Sequence, residues 1–193
     1  MSTDKNAPFT KATMGIVDGL PLTASSGGIE DLRRDVQMLM DMEAIRQLKH
    51  RYFRCIDTAN VAELAEIFHD DVDVHFVGGT YEWKLKGKDQ YLGSIGGAFH
   101  NQSIGHHNAH HPEIQMLSAT EATAIWYLND HMWQLDSGIY TRGTALYWDR
   151  YLKVDGHWLI RETRYRRIYE MNGKPDTSMK IDYNYLALFG SQK

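Results

Sequence analysis

The segment ALYWDRYLKVDGHWLIRETRYRRIYE, residues 145–170, carries the clearest signal for the fold. On both sides of Asp155-Gly156 it is rich in aromatic and β-branched residues, which favour strands. An Asp-Gly pair between two such runs is typical of a two-residue hairpin turn, because both turn positions need a positive φ. The segment therefore predicts two long antiparallel strands, over residues 140–154 and 157–170.

Three further strands are predicted upstream of this hairpin, over residues 72–77, 113–117 and 121–134, from alternating or β-branched patterns that end at turn residues. The N-terminal half has a different period. From Ile29 to Ile56 apolar residues recur every three or four positions, which predicts a long amphipathic helix, with a break expected near Met40-Asp41.

Two shorter helices complete the predicted elements. Asn60 followed by Glu63 resembles a capping box and predicts a helix that begins there and runs to Phe68. Residues 88–99 predict another helix, weakened by its glycines. Helices followed by a run of antiparallel strands predict an α+β fold, in which the helices pack on one face of a curved sheet and side chains meet in an interior.

Composition limits the function classes. The 193 residues are 42% hydrophobic and 24% charged, which is typical of one soluble globular domain. A formal net charge of −4 and a pI near 6.2 argue against a nucleic-acid partner. No apolar run approaches the ~20 residues that cross a membrane, and no secretory pattern opens the chain, so we expect a cytoplasmic protein. Cys55 is the only cysteine, which excludes an intrachain disulfide.

The sequence also suggests domain boundaries. Residues 1–28 predict a flexible extension that ends in Ser and Gly residues, and its apolar Leu20-Pro21-Leu22 is a candidate contact with a partner subunit. Residues 29–175 hold the periodic segments and form the expected catalytic domain. Residues 176–193 form a C-terminal tail.

The stretch GHHNAHHPEI, residues 105–114, contains four histidines, His106, His107, His110 and His111. They are open to three interpretations: a metal site, one histidine that transfers protons, or a polar loop. A metal site commonly adds an acidic ligand or a spacing such as His-Glu-x-x-His, which is absent, so we expect no metal. A histidine acting as base or acid is simpler, since its free pKa of ~6.5 already suits that role.

Other polar residues fall on strand or helix faces that point to the same interior. Asp130 shares a strand face with Trp126 and Leu128, and it is the expected carboxylate partner of the catalytic histidine. An exposed acid at a strand end is the alternative. In the last strand Tyr165 and Arg167 share one face. Arg164 and Arg166 share the other, and one of the two faces must point inward.

On the first helix, Tyr52 follows Leu48 by one turn and so should face the sheet, while Asp57 falls near the helix end. A plain core tyrosine and a helix-end acid are the structural alternatives for these two residues. In either case the phenol needs a hydrogen-bond partner.

Several of these residues carry a family resemblance. The strings are Asp41-x-Glu-Ala-Ile-x-x-Leu-Lys-x-x-Tyr52-Phe-Arg-Cys-x-Asp57, His107-x-x-His110-x-Pro-Glu-Ile114 and Thr120-x-Ala-Thr-Ala-x-Trp-Tyr-Leu-x-Asp130, followed by Asp155-Gly-x-Trp-x-Ile and Arg167-Ile-Tyr-Glu170. Over residues 40–171 the chain resembles the bacterial bile-acid 7α-dehydratases, which are SnoaL-like members of the nuclear-transport-factor-2-like superfamily. The segment 78–104 departs from their pattern.

The resemblance implies a cone-like α+β barrel without cofactor or metal, assembled as a homodimer or homotrimer. It places the catalytic set on Tyr52, Asp57, His107, Asp130 and Arg167. We expect the substrate to be bound by His110, Trp126, Tyr165 and Arg164, and His106 and His111 to take no part. In the implied mechanism His107, positioned by Asp130, transfers a proton, and Tyr52 donates a hydrogen bond to a developing negative charge.

The implied activity is a lyase that eliminates water from a hydroxylated, hydrophobic, multi-ring substrate such as a steroid. The chain also resembles sphingomonad diarylpropane lyases. In that alternative a lignin-derived diol would lose water and formaldehyde through a quinone methide and give a stilbene. A third possibility is a ligand-binding protein without catalysis, because this scaffold supports both roles.

Overall fold

Four long strands dominate the molecule in a computed structural model that describes residues 6–23, 27–176, 178 and 180–193. In these residues the helices are α1 (Lys11–Met14), α2 (Ile29–Asp57), α3 (Val61–Ala65), α4 (Lys88–Ala98) and α5 (Tyr185–Phe189). The strands are β1 (Phe68–Val77), β2 (Glu82–Lys86), β3 (Ser103–Met116), β4 (Glu121–Gln134), β5 (Ile139–Val154) and β6 (His157–Gly173).

The strands form one sheet in the order β2-β1-β6-β5-β4-β3. The pairing is antiparallel except between β1 and β6, which run parallel, so the sheet is mixed and its two edges stay open. α2 and α4 pack against one face, and the buried core lies between them and the sheet. The predicted α+β class, with N-terminal helices on a mainly antiparallel curved sheet, is confirmed.

The β5–β6 hairpin turns at Asp155-Gly156, as its sequence predicts. Asp155 has φ 50° and Gly156 has φ 84°, so both turn positions adopt the left-handed region that this turn requires. Both strands continue beyond their predicted outer ends. β5 begins at Ile139 and β6 ends at Gly173, which still pairs with Tyr140.

The predicted break in the first helix is wrong. α2 runs without interruption from Ile29 to Asp57. Asp41, where we expected the break, is buried and accepts hydrogen bonds from Lys153 Nζ at 2.7 Å and from Trp158 Nε1 at 2.9 Å. These donors come from β5 and β6, more than 100 residues away, so local sequence gave no sign that this acid would be satisfied inside the fold.

Two other elements differ from the prediction. The histidine-rich stretch belongs to strand β3 rather than to a loop, because β4 pairs with it along its whole length except for a bulge between His110 and Glu113. Strand β2 was missed, although its residues Glu82–Lys86 alternate between charged and apolar side chains; this strand-type signal extends over only five residues.

The expected flexible extension contains ordered structure in its described part. Met14 and Ile16 are buried, and they pack with Phe9 against Ile125 and Trp148 on the outer face of the sheet. The apolar residues of this segment therefore cover a sheet face that faces away from α2. No helix in the described ranges is long and apolar enough to cross a lipid bilayer.

Candidate functional site

A cavity of about 250 Å³ lies between the sheet and helices α2 and α4. Eight of its eighteen lining residues are aromatic: Tyr52, Phe76, Tyr81, Trp83, Tyr91, Phe99, Tyr147 and Tyr165. Besides the tyrosines, the ionisable side chains on this wall are His107, Asp130 and Arg167. An aromatic pocket with a few convergent polar groups is the usual form of a small-molecule site.

His107 is held by Asp57, the last residue of α2. Asp57 Oδ1 lies 2.5 Å from His107 Nδ1, and Asp57 Oδ2 accepts a hydrogen bond from the backbone N–H of His107 at 2.9 Å. A carboxylate can only accept, so Nδ1 carries a proton, and in the neutral form of the ring the other nitrogen, Nε2, has the lone pair. The arrangement leaves Nε2 as the atom of this dyad that can exchange a proton with a bound molecule.

The predicted pairing of His107 with Asp130 is therefore wrong. The two residues are cross-strand partners of β3 and β4, but the carboxylate of Asp130 is taken by Arg167. Both terminal nitrogens of Arg167 donate to the two carboxylate oxygens, with Nη2 to Oδ2 at 2.8 Å. The guanidinium fork matches a carboxylate with two parallel hydrogen bonds, which an imidazole cannot offer.

Arg167 also faces a second acid, since its Nε lies 3.3 Å from Glu170 Oε2. The side chains of Arg167, Asp130 and Glu170 are all less than a tenth exposed. Burial opposes the charge of Arg167, but the hydrogen bonds and charge of Asp130 outweigh it and raise the pKa of the guanidinium. Arg167 is therefore a permanent cation on the cavity wall.

Gly105 allows Asp57 to approach β3. A Cβ at this position would lie 2.9 Å from Asp57 Oδ1 and 2.9 Å from a ring carbon of Phe99. Any side chain would thus push the carboxylate away from His107. The glycine two residues before the histidine was a usable sequence signal for a close approach at this place.

Tyr81 and Tyr165 form a phenol pair beside Arg167. Their hydroxyl groups share a short hydrogen bond. Burial raises the pKa of both phenols, and the charge of Arg167 partly opposes this shift at each. Both hydroxyls stay protonated at neutral pH. One uses its proton within the pair, and the hydroxyl that accepts there can donate its own proton to a substrate oxygen. Tyr81 was missed by sequence reasoning, because it lies between two strands of which one was not predicted.

Tyr52 lies at the α2 side of the cavity. Its hydroxyl is 2.6 Å from the hydroxyl of Tyr91 on α4, and burial raises the pKa of both phenols well above the ordinary value. Tyr52 is therefore a neutral hydrogen-bond donor or acceptor, as the sequence-based mechanism needs. Tyr91 and Tyr147 also line this side, and nothing in their local sequence separated them from core tyrosines.

Three predicted substrate-binding residues lie away from the cavity. His107 and His110 are three apart on a strand, so they point to opposite faces, and His110 stacks on Tyr127 at a ring distance of 5.5 Å. Trp126 is on the inner face but beyond the cavity, where its Nε1 donates to Tyr151 Oη at 3.0 Å. Only Tyr165 of the four lines the cavity.

Arg164 is the third of these residues. It faces outward, as residues adjacent to Tyr165 on a strand must, and its Nη2 contacts Asp73 at 3.1 Å and Glu162 at 3.2 Å. In the described part of the chain, no group of three or more histidine, cysteine, aspartate or glutamate side chains is arranged to hold a metal ion.

Comparison with known proteins gives one family and a consistent fold. A family model described as a SnoaL-like domain matches residues 37–164. The structure of a type 2 hexachlorocyclohexane dehydrochlorinase superposes with a TM-score of 0.65 at 18% identity, over 74% of this chain and 95% of that one.

Two structures from Novosphingobium aromaticivorans are also similar. One is described as a predicted scytalone dehydratase (TM-score 0.60, 23% identity, 70% of this chain and 89% of that chain). The other is described as a nuclear-transport-factor-2-like protein with a cystatin-like fold (TM-score 0.59, 15% identity, 75% and 92%). At these identities the likeness shows a shared fold, and activity has to be argued from the site.

Proposed function

Since this chain belongs to the SnoaL-like domain family, we propose that it is a cofactor-independent lyase that eliminates water from a hydroxylated hydrophobic substrate. The observation that carries the proposal is the Asp57–His107 dyad, whose imidazole lines an aromatic cavity that also holds Arg167 and a pair of neutral phenols. A proton acceptor and fixed donors around a cavity suit an elimination in which a proton and a hydroxyl leave.

The cavity lining favours a diarylpropane diol over a steroid. Eight aromatic side chains suit two flat rings that stack or meet edge to face. Substrates of the steroid class remain the second candidate, because the motif resemblance to bile-acid dehydratases favours them.

The proposed reaction consumes a phenolic 1,2-diarylpropane-1,3-diol and releases a stilbene, water and formaldehyde. The phenol gives up its proton, its electrons move into the ring, and the benzylic hydroxyl takes up a proton and leaves as water, which forms a quinone methide. A base then removes the hydroxyl proton of the hydroxymethyl group. Its carbon–carbon bond breaks, formaldehyde leaves, and the electron pair restores the aromatic ring while the phenolic oxygen takes back a proton.

Each polar group has a proposed role in this sequence. His107, oriented by Asp57, accepts the proton of the hydroxymethyl group through Nε2. The Tyr81–Tyr165 pair, next to Arg167, donates a hydrogen bond to the phenolic oxygen, where negative charge develops, through the hydroxyl whose proton is not used within the pair. Tyr52 holds the departing hydroxyl. Asp130 keeps Arg167 in place and is not a proton carrier in this scheme.

The test incubates the protein separately with a diarylpropane diol and with a steroid 7-hydroxy-4-en-3-one. Formaldehyde release with a new stilbene absorption band supports the diol. Water loss from the steroid with a shifted ultraviolet band shows that the substrate belongs to the steroid class instead. Binding of both without turnover contradicts the lyase and leaves a ligand-binding protein.

Variants on one strand separate the catalytic histidine from its neighbours. His107→Ala should lower turnover by about 10²–10⁴ if His107 is a general base. His110→Ala is the matched control, since it removes the same side chain from the opposite face of β3 and should leave turnover within about twofold of the wild-type rate. Equal rates for the two variants would remove His107 from the mechanism.

We also propose that the chain forms a homo-oligomer. On the part of α2 that precedes Met40, Ile29, Leu32, Val36 and Leu39 are 47–62% exposed and follow each other at spacings of three or four residues. This stripe lies opposite the buried face of the helix, which includes Met38. A helix that is apolar on two faces normally has a partner on each, and the alternation of β-branched residues with leucine suits a second copy of the same helix.

A further inference from the structure

Lys49 is a fully buried lysine that the proposed reaction does not use. It lies on α2 one turn before Tyr52, and its side chain and that of its partner Asp149 have no exposed surface. Lys49 Nζ is 2.7 Å from Asp149 Oδ2. Burying two charges costs several kcal/mol per ion, and an apolar pair often packs equally well, so this ion pair calls for a reason beyond stability.

The ammonium group of Lys49 sits among three aromatic rings. Nζ lies 3.9 Å from the ring centroid of Tyr147, 4.6 Å from that of Tyr52 and 5.2 Å from that of Phe53. The rings also pack edge to face with one another, at centroid distances from 4.9 to 6.3 Å. A cation within about 6 Å of several ring faces stabilises their positions and is stabilised by them.

These rings connect Lys49 to both sides of the candidate site. Tyr52 and Tyr147 form part of the cavity wall. Phe53 stacks on the imidazole of His107, with ring centroids 6.1 Å apart and planes 24° apart. Lys49 therefore contacts the side chains that fix the phenol of Tyr52 and one face of the catalytic imidazole.

The two ends of the ion pair have different neighbours. Its cation contacts Tyr52 and Tyr147, which line the cavity wall. Its carboxylate accepts a hydrogen bond through Asp149 Oδ2 from Tyr151 Oη at 2.7 Å, and Tyr151, which does not line the cavity, in turn accepts one from Trp126. The cation beside the wall favours negative charge inside the cavity, whereas the charge of Asp149 opposes it and adds to the effect of burial in raising the pKa of Tyr52 and Tyr147. Burial lowers the pKa of Lys49, and the carboxylate of Asp149 opposes that shift, so the lysine depends on this partner for its charge.

We propose that Lys49 is a positioning residue, which holds the rings of the cavity wall and places a positive charge behind them that stabilises an anionic oxygen in the cavity. The inference rests on the proposed function, because the proposed elimination develops such an oxygen. It goes beyond that function in assigning a role to a side chain that does not reach the cavity.

The test measures the ionisation of a bound probe rather than turnover. 4-Nitrophenol is titrated into the wild-type protein and into a Lys49→Met/Asp149→Asn variant, and the ratio of bound phenolate to bound phenol is read from the visible absorption band. Removing the ion pair should lower this ratio by on the order of threefold, for a charge pair within ~10 Å at an effective dielectric constant of ~20. An unchanged ratio would overturn the proposal.

A second ion pair provides the matched control. Asp41 on α2 and the partly buried Lys153 on β5 lie 2.7 Å apart, and neither residue lines the cavity. The variant Lys153→Met/Asp41→Asn should therefore leave the ratio at the wild-type value even where it lowers stability. A fall of equal size in this control would show a general effect of lost packing and would also overturn the proposal.

Two further arms keep the test decisive. If this double variant does not fold, Lys49→Gln/Asp149→Asn takes its place, because the glutamine amide can donate to the asparagine carbonyl oxygen while both charges are gone, and the same fall in the ratio is expected. Absence of diol turnover in the wild-type protein contradicts the proposed lyase but leaves the probe measurement intact. Failure of the wild-type protein to bind 4-nitrophenol contradicts the aromatic binding cavity and this proposal together.

Discussion

Replacing Arg167 by methionine should destabilise the protein more than replacing either of its acidic partners. The guanidinium holds Asp130 and Glu170, and all three side chains are less than a tenth exposed. Breaking a buried ion pair by removing one partner costs about 3–5 kcal/mol, because a charge is left buried without compensation. Arg167→Met leaves two such carboxylates, so we expect a loss near the upper end, about 5 kcal/mol.

For a chain of this size each 1 kcal/mol lowers Tm by about 2–4 °C, so Arg167→Met should lower it by about 10–20 °C. Asp130→Asn leaves Arg167 paired with Glu170, so its loss should be nearer 3 kcal/mol, or about 6–12 °C. The control is Arg164→Met on the outer face, whose partners keep access to water and whose loss should stay within about 1 kcal/mol.

Thermal unfolding followed by circular dichroism at neutral pH measures all three variants. At acidic pH the difference between Arg167→Met and the wild-type protein should shrink, because a protonated carboxyl group can be buried without a counter-ion. If Arg167→Met melts within 4 °C of the wild-type protein, or above Asp130→Asn, the buried ion network does not exist in solution as described.

Three other predictions concern separate parts of the molecule. Gly105→Ala should lower turnover of the proposed substrate as strongly as Asp57→Asn while the fold persists, whereas Gly97→Ala, which meets no atom within 4 Å, should not; equal rates for both would contradict the close approach at Gly105. Lys84, and then His75, lower the pKa of Glu82 from 4.5 to about 2, so the stability gained from ionised Glu82 is present above pH 4.5 and lost as the pH falls to about 2. Glu82→Gln should therefore lower Tm near pH 5 but not near pH 2, and a constant difference across this range would count against the assignment. Leu32→Glu should lower the oligomer mass measured by light scattering, while Leu188→Glu, an equally exposed apolar position on α5, should not; an unchanged mass for Leu32→Glu excludes this face as the interface.

The fold could be predicted because its signals are local. The Asp155-Gly156 turn, the cap at Asn60 and the alternation in β4 each depend on neighbours within a few residues, and each is present in the structure. Errors arose where a distant group decides the outcome. Asp41 looked like a helix break because its donors, Lys153 and Trp158, lie on strands at the other end of the chain.

The site illustrates the same limit for side chains. Residue types could be predicted, and four of the five predicted catalytic residues line the cavity, while the fifth, Asp57, stands directly behind His107. Which acid pairs with which base could not be predicted. His107 and Asp130 are neighbours on the adjacent strands β3 and β4, but Arg167 of β6 binds Asp130 instead. The location of His110 was missed for a simpler reason: a loop was expected where a strand forms, and only a strand separates residues three apart onto opposite faces.

The corrected pairing changes what the cavity can bind. If Asp130 were paired with His107, Arg167 would be available to bind a substrate carboxylate. In the structure Arg167 is already matched by Asp130 and Glu170, and Asp57 adds a third carboxylate beside His107. A permanent anion would enter against this excess of negative charge and lose its hydration as well. A neutral diol carries no such penalty, and its charge develops only at one oxygen during the reaction, where phenol donors and the positive end of the Lys49–Asp149 pair can meet it.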